Sequence, residues 1–233
     1  MTAPVTSTAA SSQLAQAGLA ELTAASVAQA WAAIDPHNLR ATLPDFNAVV
    51  AANVRRYGAT SGALAARLYR QIRLEHVRGS YTPRPANLPP MVKIVSGLNW
   101  ATGHLFGETQ DMDSGLTLAI GVAERLVMDV GRDTIRENVH NDSKAKGWAR
   151  VTEPGPCAFC ALLAMRGFVY KESSASFHSH DKCRCHAEPI FGEYRPGEQV
   201  AEWASLYKEA TRSASGKDKR TEWRRAFDAA YGK

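Results

Sequence analysis

The sequence has no apolar run approaching the roughly 20 residues that a membrane-spanning helix needs, and so excludes a helical membrane protein. It opens Met1-Thr-Ala-Pro4-Val-Thr-Ser7, with neither a basic stretch nor an apolar one, so no export signal is expected. Cysteine is scarce: four in 233 residues, none outside positions 157–185. With nothing directing the chain to an oxidising compartment, these cysteines are not expected to form disulfides. No large excess of one charge is present, because the net value of +5 is too mild to be a nucleic-acid signature by itself. The G-x-S-x-G turn that presents a nucleophilic serine is absent. No feature points to a small-molecule substrate.

What is present is concentrated. Cys157-Ala-Phe-Cys160 is followed by His178-Ser-His180-Asp-Lys-Cys183-Arg-Cys185-His186. Zn²⁺ takes four thiolate or imidazole ligands in a closed tetrahedral structural site, and this segment offers seven. Two cysteines three apart can both reach one ion across a tight turn, and His180 and Cys183 repeat that separation. Cys183 and Cys185 lie two apart, so in an extended segment both project from one face. The spacing favours Cys157, Cys160 and His180, with Cys183 or Cys185 as alternatives for the fourth place. The expected cofactor is therefore structural zinc. A redox pair would not need the second cluster, and a cysteine nucleophile with His178 or His180 as base would leave three cysteines unexplained.

Around this segment the chain reads as helix. Residues 12–34 are alanine-rich, with Val27, Trp31 and Ile34 on one face, and Asp35-Pro36 ends the run. A second helix is expected over 44–57, with Pro44 in its first turn and Gly58 as the break, and a third over 61–77 with Leu64, Leu68 and Ile72 as its stripe. Residues 79–90 hold four prolines and almost nothing apolar, so they should form an extended connection. A short helix over 91–106 precedes the longest one, from 113 or 114 to 139, expected to be central. Its polar last turns, 132–138, should protrude from the core.

From Ser143 the pattern shifts. Strands are expected at 148–151, 168–170 and 185–190, with a short helix at 160–165. Such a unit has too little core to fold alone, and a metal remedies that. The tail, 196–233, is helical, with Trp223, Phe227 and Tyr231 at i, i+4, i+8. It is equally suited to docking a partner or to folding back on its own bundle. The expected fold class is mainly α: a helical domain at 1–142 with a frayed start, a Cys/His metal-binding α+β unit at 143–195, and basic amphipathic helices at 196–233.

Charge is unevenly placed. Residues 39–78 carry Arg40, Arg55, Arg56, Arg67, Arg70, Arg73 and Arg78 against Asp45 and Glu75. Residues 208–233 carry eight basic residues against four acids. Either segment could face an acidic partner or DNA.

Gly147-Trp148-Ala-Arg150-Val151, Pro156-Cys-Ala-Phe-Cys160-Ala-Leu-Leu-Ala164, Arg166-Gly167, Val169-Tyr170 and Phe177-His-Ser-His180-Asp-Lys-Cys183-Arg-Cys185 with Pro189 resemble the C-terminal signature of phage Mu F-like minor head proteins. The match is closest to the form found in actinobacterial phages and prophages and covers about residues 145–191. The resemblance implies a head-morphogenesis protein, a minor capsid component associated with the portal and the procapsid. Its implied partners are the portal, the major capsid or scaffold protein, and packaged double-stranded DNA. It would reside in the virion and, during assembly, in the host cytoplasm. Related actinophage proteins are also labelled capsid maturation proteases. For that activity Ser174, Ser176, His178, His180 and Asp181 are close in sequence, and Glu153, Glu172 and Glu188 could serve a catalytic zinc as base. A cysteine-rich set of ligands favours a closed, structural site instead. A DNA-binding zinc module is the third reading.

Overall fold

The computed structural model describes residues 7–152, 155–169, 177, 179–181 and 183–232. The first helix, α1 (Ser7–Trp31), buries Val27 and Trp31, with Ile34 just beyond its end, as their spacing predicts. The Asp35-Pro36 step then turns the chain, and the His37 N–H donates to Asp35 Oδ1 at 2.9 Å.

The two helices expected next are one. Helix α2 (Leu39–His76) runs 38 residues without interruption, with Pro44 inside it and Gly58 mid-way. The reason Gly58 does not break it is tertiary. A Cβ at Gly58 would lie 3.2 Å from Val130 Cγ2, and one at Gly62 would lie 3.1 Å from Val130 Cγ1. Both glycines therefore let another helix close onto α2, and that packing offsets the roughly 1 kcal/mol that glycine costs in a helix.

Helix α3 (Met91–Thr102) and the 3-10 turn after it (Gly103–Phe106) match the expected short helix. Helix α4 (Met112–Asn141) has 30 residues and is shorter than α2, contrary to expectation, but it is the central element. It packs against α1, α2 and α3. The main core forms there from Val27, Phe46, Val50, Val54, Ile94, Leu98, Val122 and Leu126. Trp31 meets Phe46 edge-on at 5.3 Å, an arrangement that suits the ring quadrupoles. At about 1.5–3 kcal/mol for each fully buried aliphatic side chain, this layer is the main source of cohesion in the bundle.

The expectation that residues 132–138 protrude is wrong. Arg132, Thr134, Ile135 and Asn138 are all buried. Thr134 and Asn138 are polar because they serve the proline-rich segment 79–90, whose extended backbone forms no ladder and needs side-chain partners. Asn138 Oδ1 accepts from the Arg84 N–H at 2.9 Å, and Asn138 Nδ2 donates to the Arg84 carbonyl at 2.7 Å. Thr134 Oγ1 accepts from the Ala86 N–H at 2.9 Å. The segment is thus strapped onto α4.

At the strap's start, Arg73 is buried, which removes it from the exposed arginines. Its Nε donates to Asp142 Oδ2 at 2.7 Å and its Nη1 to the Gly79 carbonyl at 2.7 Å. Tyr69 Oη donates to the same carboxylate at 3.1 Å. Burial by itself would push the Asp142 carboxyl up, but the bonds from Arg73, the Lys144 N–H and Tyr69 hold it below its usual value. A carboxyl so lowered adds stability that is present above its unfolded pKa and lost as pH falls through the folded one. Asp142→Asn is therefore expected to cost about 3–5 kcal/mol near neutral pH, because Arg73 is left buried without its counter-charge. The penalty should shrink on acidification, as read by urea unfolding at several pH values. Equal penalties at every pH would contradict it.

The expected strands are present as β1 (Gly147–Val151), β2 (Phe168–Val169) and β3 (His186–Ile190), and the short helix as α5 (Ala158–Ala164). They form a three-stranded antiparallel sheet in the order β2-β1-β3, with Trp148 opposite Val169 on one side and Pro189 on the other. A second core joins this sheet to the far halves of α2 and α4: Leu68, Tyr69, Ile72, Ile135 and Val139 meet Trp148, Cys160, Cys183, Cys185 and Ala187.

The tail helices α6 (Glu198–Ala210) and α7 (Asp218–Tyr231) fold back, though not onto the bundle. Trp203, Trp223 and Phe227 pack on Ala158, Ala161 and Ala164 of α5, and Trp223 Nε1 donates to the Ala158 carbonyl at 2.7 Å. The aromatic stripe is thereby used within the chain.

Candidate metal centre

Helix α5 and the segment before β3 deliver the donor atoms. After the turn at Gly155-Pro156, Cys157 caps α5, its Sγ accepting from the Cys160 N–H at 3.4 Å. One helical turn places Cys160 beneath it, buried against the second core. The segment preceding β3 then brings His180, Cys183 and Cys185 alongside. His180 Nε2 lies 3.1 Å from Cys157 Sγ and 3.5 Å from Cys160 Sγ, and Cys160 Sγ lies 3.5 Å from Cys183 Sγ. A zinc ion bound at about 2.3 Å by sulfur and about 2.0 Å by nitrogen separates its tetrahedral ligands by roughly 3.5–3.8 Å. The two 3.5 Å spacings are of that size, and the 3.1 Å one is shorter. A disulfide would need about 2.05 Å, and all four cysteines are free.

The donors form two overlapping triads, Cys157/Cys160/His180 and Cys160/Cys183/Cys185, each with its ligand atoms within 4.8 Å of one another. Cys160 belongs to both. This cluster could hold a metal ion, and its donor set, rich in thiolate with one imidazole, suits zinc. His180 Nδ1 faces the Asp181 carbonyl at 2.8 Å. That contact directs Nε2 to the sulfurs and is how a ligating histidine is oriented. His186 lies on β3 outside both triads; it is buried, and loss of solvent, aided by Arg132, pushes its pKa down to about 4. His178 lies outside the described residues.

Positive charge surrounds the sulfurs. Arg150, from β1, is buried, with Nη1 at 4.0 Å from Cys160 Sγ and 3.9 Å from Cys183 Sγ. Its guanidinium lies 3.7 Å from the centroid of Phe177, and that of Arg132 lies 4.9 Å from the same ring. Arg132 Nε donates to the Cys185 carbonyl at 2.8 Å, and its Nη2 donates to the Cys183 carbonyl. Two buried guanidinium groups call for negative charge nearby, and thiolates supply it. The Cys183 thiol is held well below its usual value, first by bonding to Cys160 and Cys185 and further by Arg132. Bonding to Cys160 also lowers Cys157, to about 5, with His180 contributing. Cys160 and Cys185 shift the other way.

A row of polar residues along α4 seats the whole segment. Gly121 lies against Asp181, where a Cβ would come within 2.9 Å of Asp181 Cβ. Arg125 Nε donates to Asp181 Oδ1 at 2.6 Å, and Ser179 Oγ donates to Asp129 Oδ1 at 2.9 Å. Arg132 completes the row and is itself braced by Asp129 at 2.7 Å. Sequence reasoning missed Arg125, Asp129, Arg132 and Arg150. The signal was there: charges at 125, 129 and 132, at i, i+4, i+7 along one side of α4.

Of the residues considered for proteolysis, Glu153, Glu172, Ser174, Ser176 and His178 lie outside the described residues. Asp181 is engaged by Arg125, and the His180 ring meets Cys157, Cys160 and the Asp181 carbonyl. Glu188 lies on β3, its carboxyl raised by burial and by Glu75.

A family model described as VG15 protein matches residues 3–210, which takes in the bundle, the Cys/His segment and α6. The chain belongs to the VG15 protein family. This is a viral, phage-associated family, and the matched span includes every donor of both triads. No curated protein and no solved structure matches the chain. Among the described residues, no helix is long and apolar enough to cross a membrane.

Proposed function

We propose that this VG15 family member is a phage minor capsid protein acting in head morphogenesis, with a structural zinc site that holds its C-terminal unit together. The observation that carries the reading is the five-donor cluster centred on Cys160, joined to a viral family match over most of the chain. The motif resemblance to Mu F-like minor head proteins supports the assignment to heads, and supports the portal with the capsid or scaffold protein as partners. Cys157, Cys160, His180 and Cys183 or Cys185 would be the ligands. Zinc closed by such a set supplies folding free energy and leaves no open position for a reacting water. The buried carbonyl bonds from Arg132 and the packing of α6 and α7 on α5 favour a scaffold over a catalytic cleft. A position in the procapsid interior or at the portal vertex follows from those partners.

The test is co-expression with a phage portal protein, followed by affinity purification and metal analysis. About one zinc per chain and co-purification with the portal are expected. Chelation should abolish both zinc and portal association while the bundle stays helical. Cleaved capsid or scaffold precursor in the presence of the protein, and intact precursor with a Cys157→Ser variant, would instead favour the capsid maturation protease.

A further inference from the structure

Between Arg56 and Arg70, the face of α2 turned away from the bundle is exposed and carries no acid. Its exposed residues, Arg56, Ala59, Thr60, Ala63, Arg67 and Arg70, recur every three or four positions and so share one side of the helix. None of the three arginines has an ion-pair partner among the described residues. That sets them apart from Arg73, buried on Asp142, and from Arg55, whose Nη1 donates to the Pro89 carbonyl at 3.3 Å. It also separates them from the basic tail, where Arg224 and Arg225 are paired with Asp228 and Glu222.

We propose that this face of α2 binds the phosphate backbone of double-stranded DNA. The chemistry fits in three respects. Guanidinium forks match phosphate oxygens, and three unneutralised ones on one side make a positive strip, with Arg56 at one end and Arg67 and Arg70 at the other. At 1.5 Å per residue, Arg56 to Arg70 spans about 21 Å, roughly six base pairs of duplex axis. The residues between are Ala59, Thr60 and Ala63, small enough for a backbone to approach closely, and no aromatic or large aliphatic side chain stands among them to anchor a protein. An acidic protein surface is the competing partner, and the apolar anchor it would want is missing from the strip: the exposed Val49 and Leu74 of α2 lie beyond its two ends. The inference stands on α2 alone and is independent of the metal centre.

The measurement is fluorescence anisotropy of the full chain with a labelled duplex of about 24 base pairs, across about 50–200 mM salt. Wild type should bind at low salt and weaken steeply. The triple variant R56Q/R67Q/R70Q should lower the slope of log affinity against log salt by about 2.7, the value for three phosphate contacts at about 0.9 each. Over that fourfold salt range the three contacts account for about a 40-fold change in affinity. The triple R220Q/R224Q/R225Q removes the same charge from α7 and should leave the slope unchanged. Circular dichroism and zinc content should be unaltered in both variants. Three results would overturn the proposal: no duplex binding at low salt, equal losses in the two triples, or binding of labelled polyglutamate through Arg56, Arg67 and Arg70 without binding of the duplex.

Discussion

Cys160→Ser is expected to abolish metal binding and to unfold the chain from β1 to α6 while the bundle stays helical. Cys160 is the sulfur shared by both triads, so its loss leaves no set of three donors intact. Cys157→Ser spares Cys160, Cys183 and Cys185, and Cys185→Ser spares Cys157, Cys160 and His180. Both should therefore keep part of the zinc, and the order of loss should be Cys160 first and the other two behind it. The size of the effect follows from scale. Structural zinc contributes on the order of 10–16 kcal/mol of apparent binding free energy, against a total folding stability of about 5–15 kcal/mol for a domain. Even partial loss of that contribution exceeds what the small sheet can replace. Elemental analysis reads the metal, and limited proteolysis reads the unfolding, with cleavage after β1 appearing first. A chelator added to wild type should reproduce the same cleavage pattern, which separates loss of the ion from the cost of a buried serine hydroxyl. Full zinc occupancy in Cys160→Ser would refute the site.

Arg132→Met should lower stability by about 3–5 kcal/mol, about 10 °C in melting temperature for a chain of this length. The side chain is only 2% exposed and reaches two backbone carbonyls, Cys183 and Cys185, from α4. Methionine fills the volume but donates nothing, so both carbonyls lose their donor at roughly 1–3 kcal/mol each. Asp129 keeps only Ser179. Because those carbonyls belong to candidate ligands, zinc affinity should fall with stability, as a chelator competition would show. Arg132→Lys should recover little, since a single ammonium cannot span two carbonyls and a carboxylate as a guanidinium does. A melting temperature within about 2 °C of wild type would mean that the cysteine segment is held by other contacts.

Much of the architecture was legible in the chain. The stripe Val27, Trp31, Ile34 and the prolines of residues 79–90 are local patterns with local consequences, and they are realised. So are the three short strands and the tail helices. Where reading failed, the deciding partner lay far away in sequence. Gly58 looks like a helix break until Val130 stands opposite it. The polar run 132–138 looks like a solvated end until Arg84, Ala86 and the cysteine carbonyls are found waiting for its donors and acceptors. Arg73 looks like one more surface arginine until Asp142 is placed beside it.

By itself, the sequence determined the helical character, the position of the small sheet and the identity of the candidate ligands. Each of these depends on residue type and spacing within a few turns of chain. Tertiary structure alone decided that Cys160 sits at the centre of the donor cluster, that α4 seats it through Arg125, Asp129 and Arg132, and that Arg73 is buried while Arg56, Arg67 and Arg70 stay exposed on one face of α2. These outcomes depend on which side chains, tens of residues apart, share the same buried space. Burial makes an unpaired charge or an orphaned carbonyl costly, and that cost selects the partners.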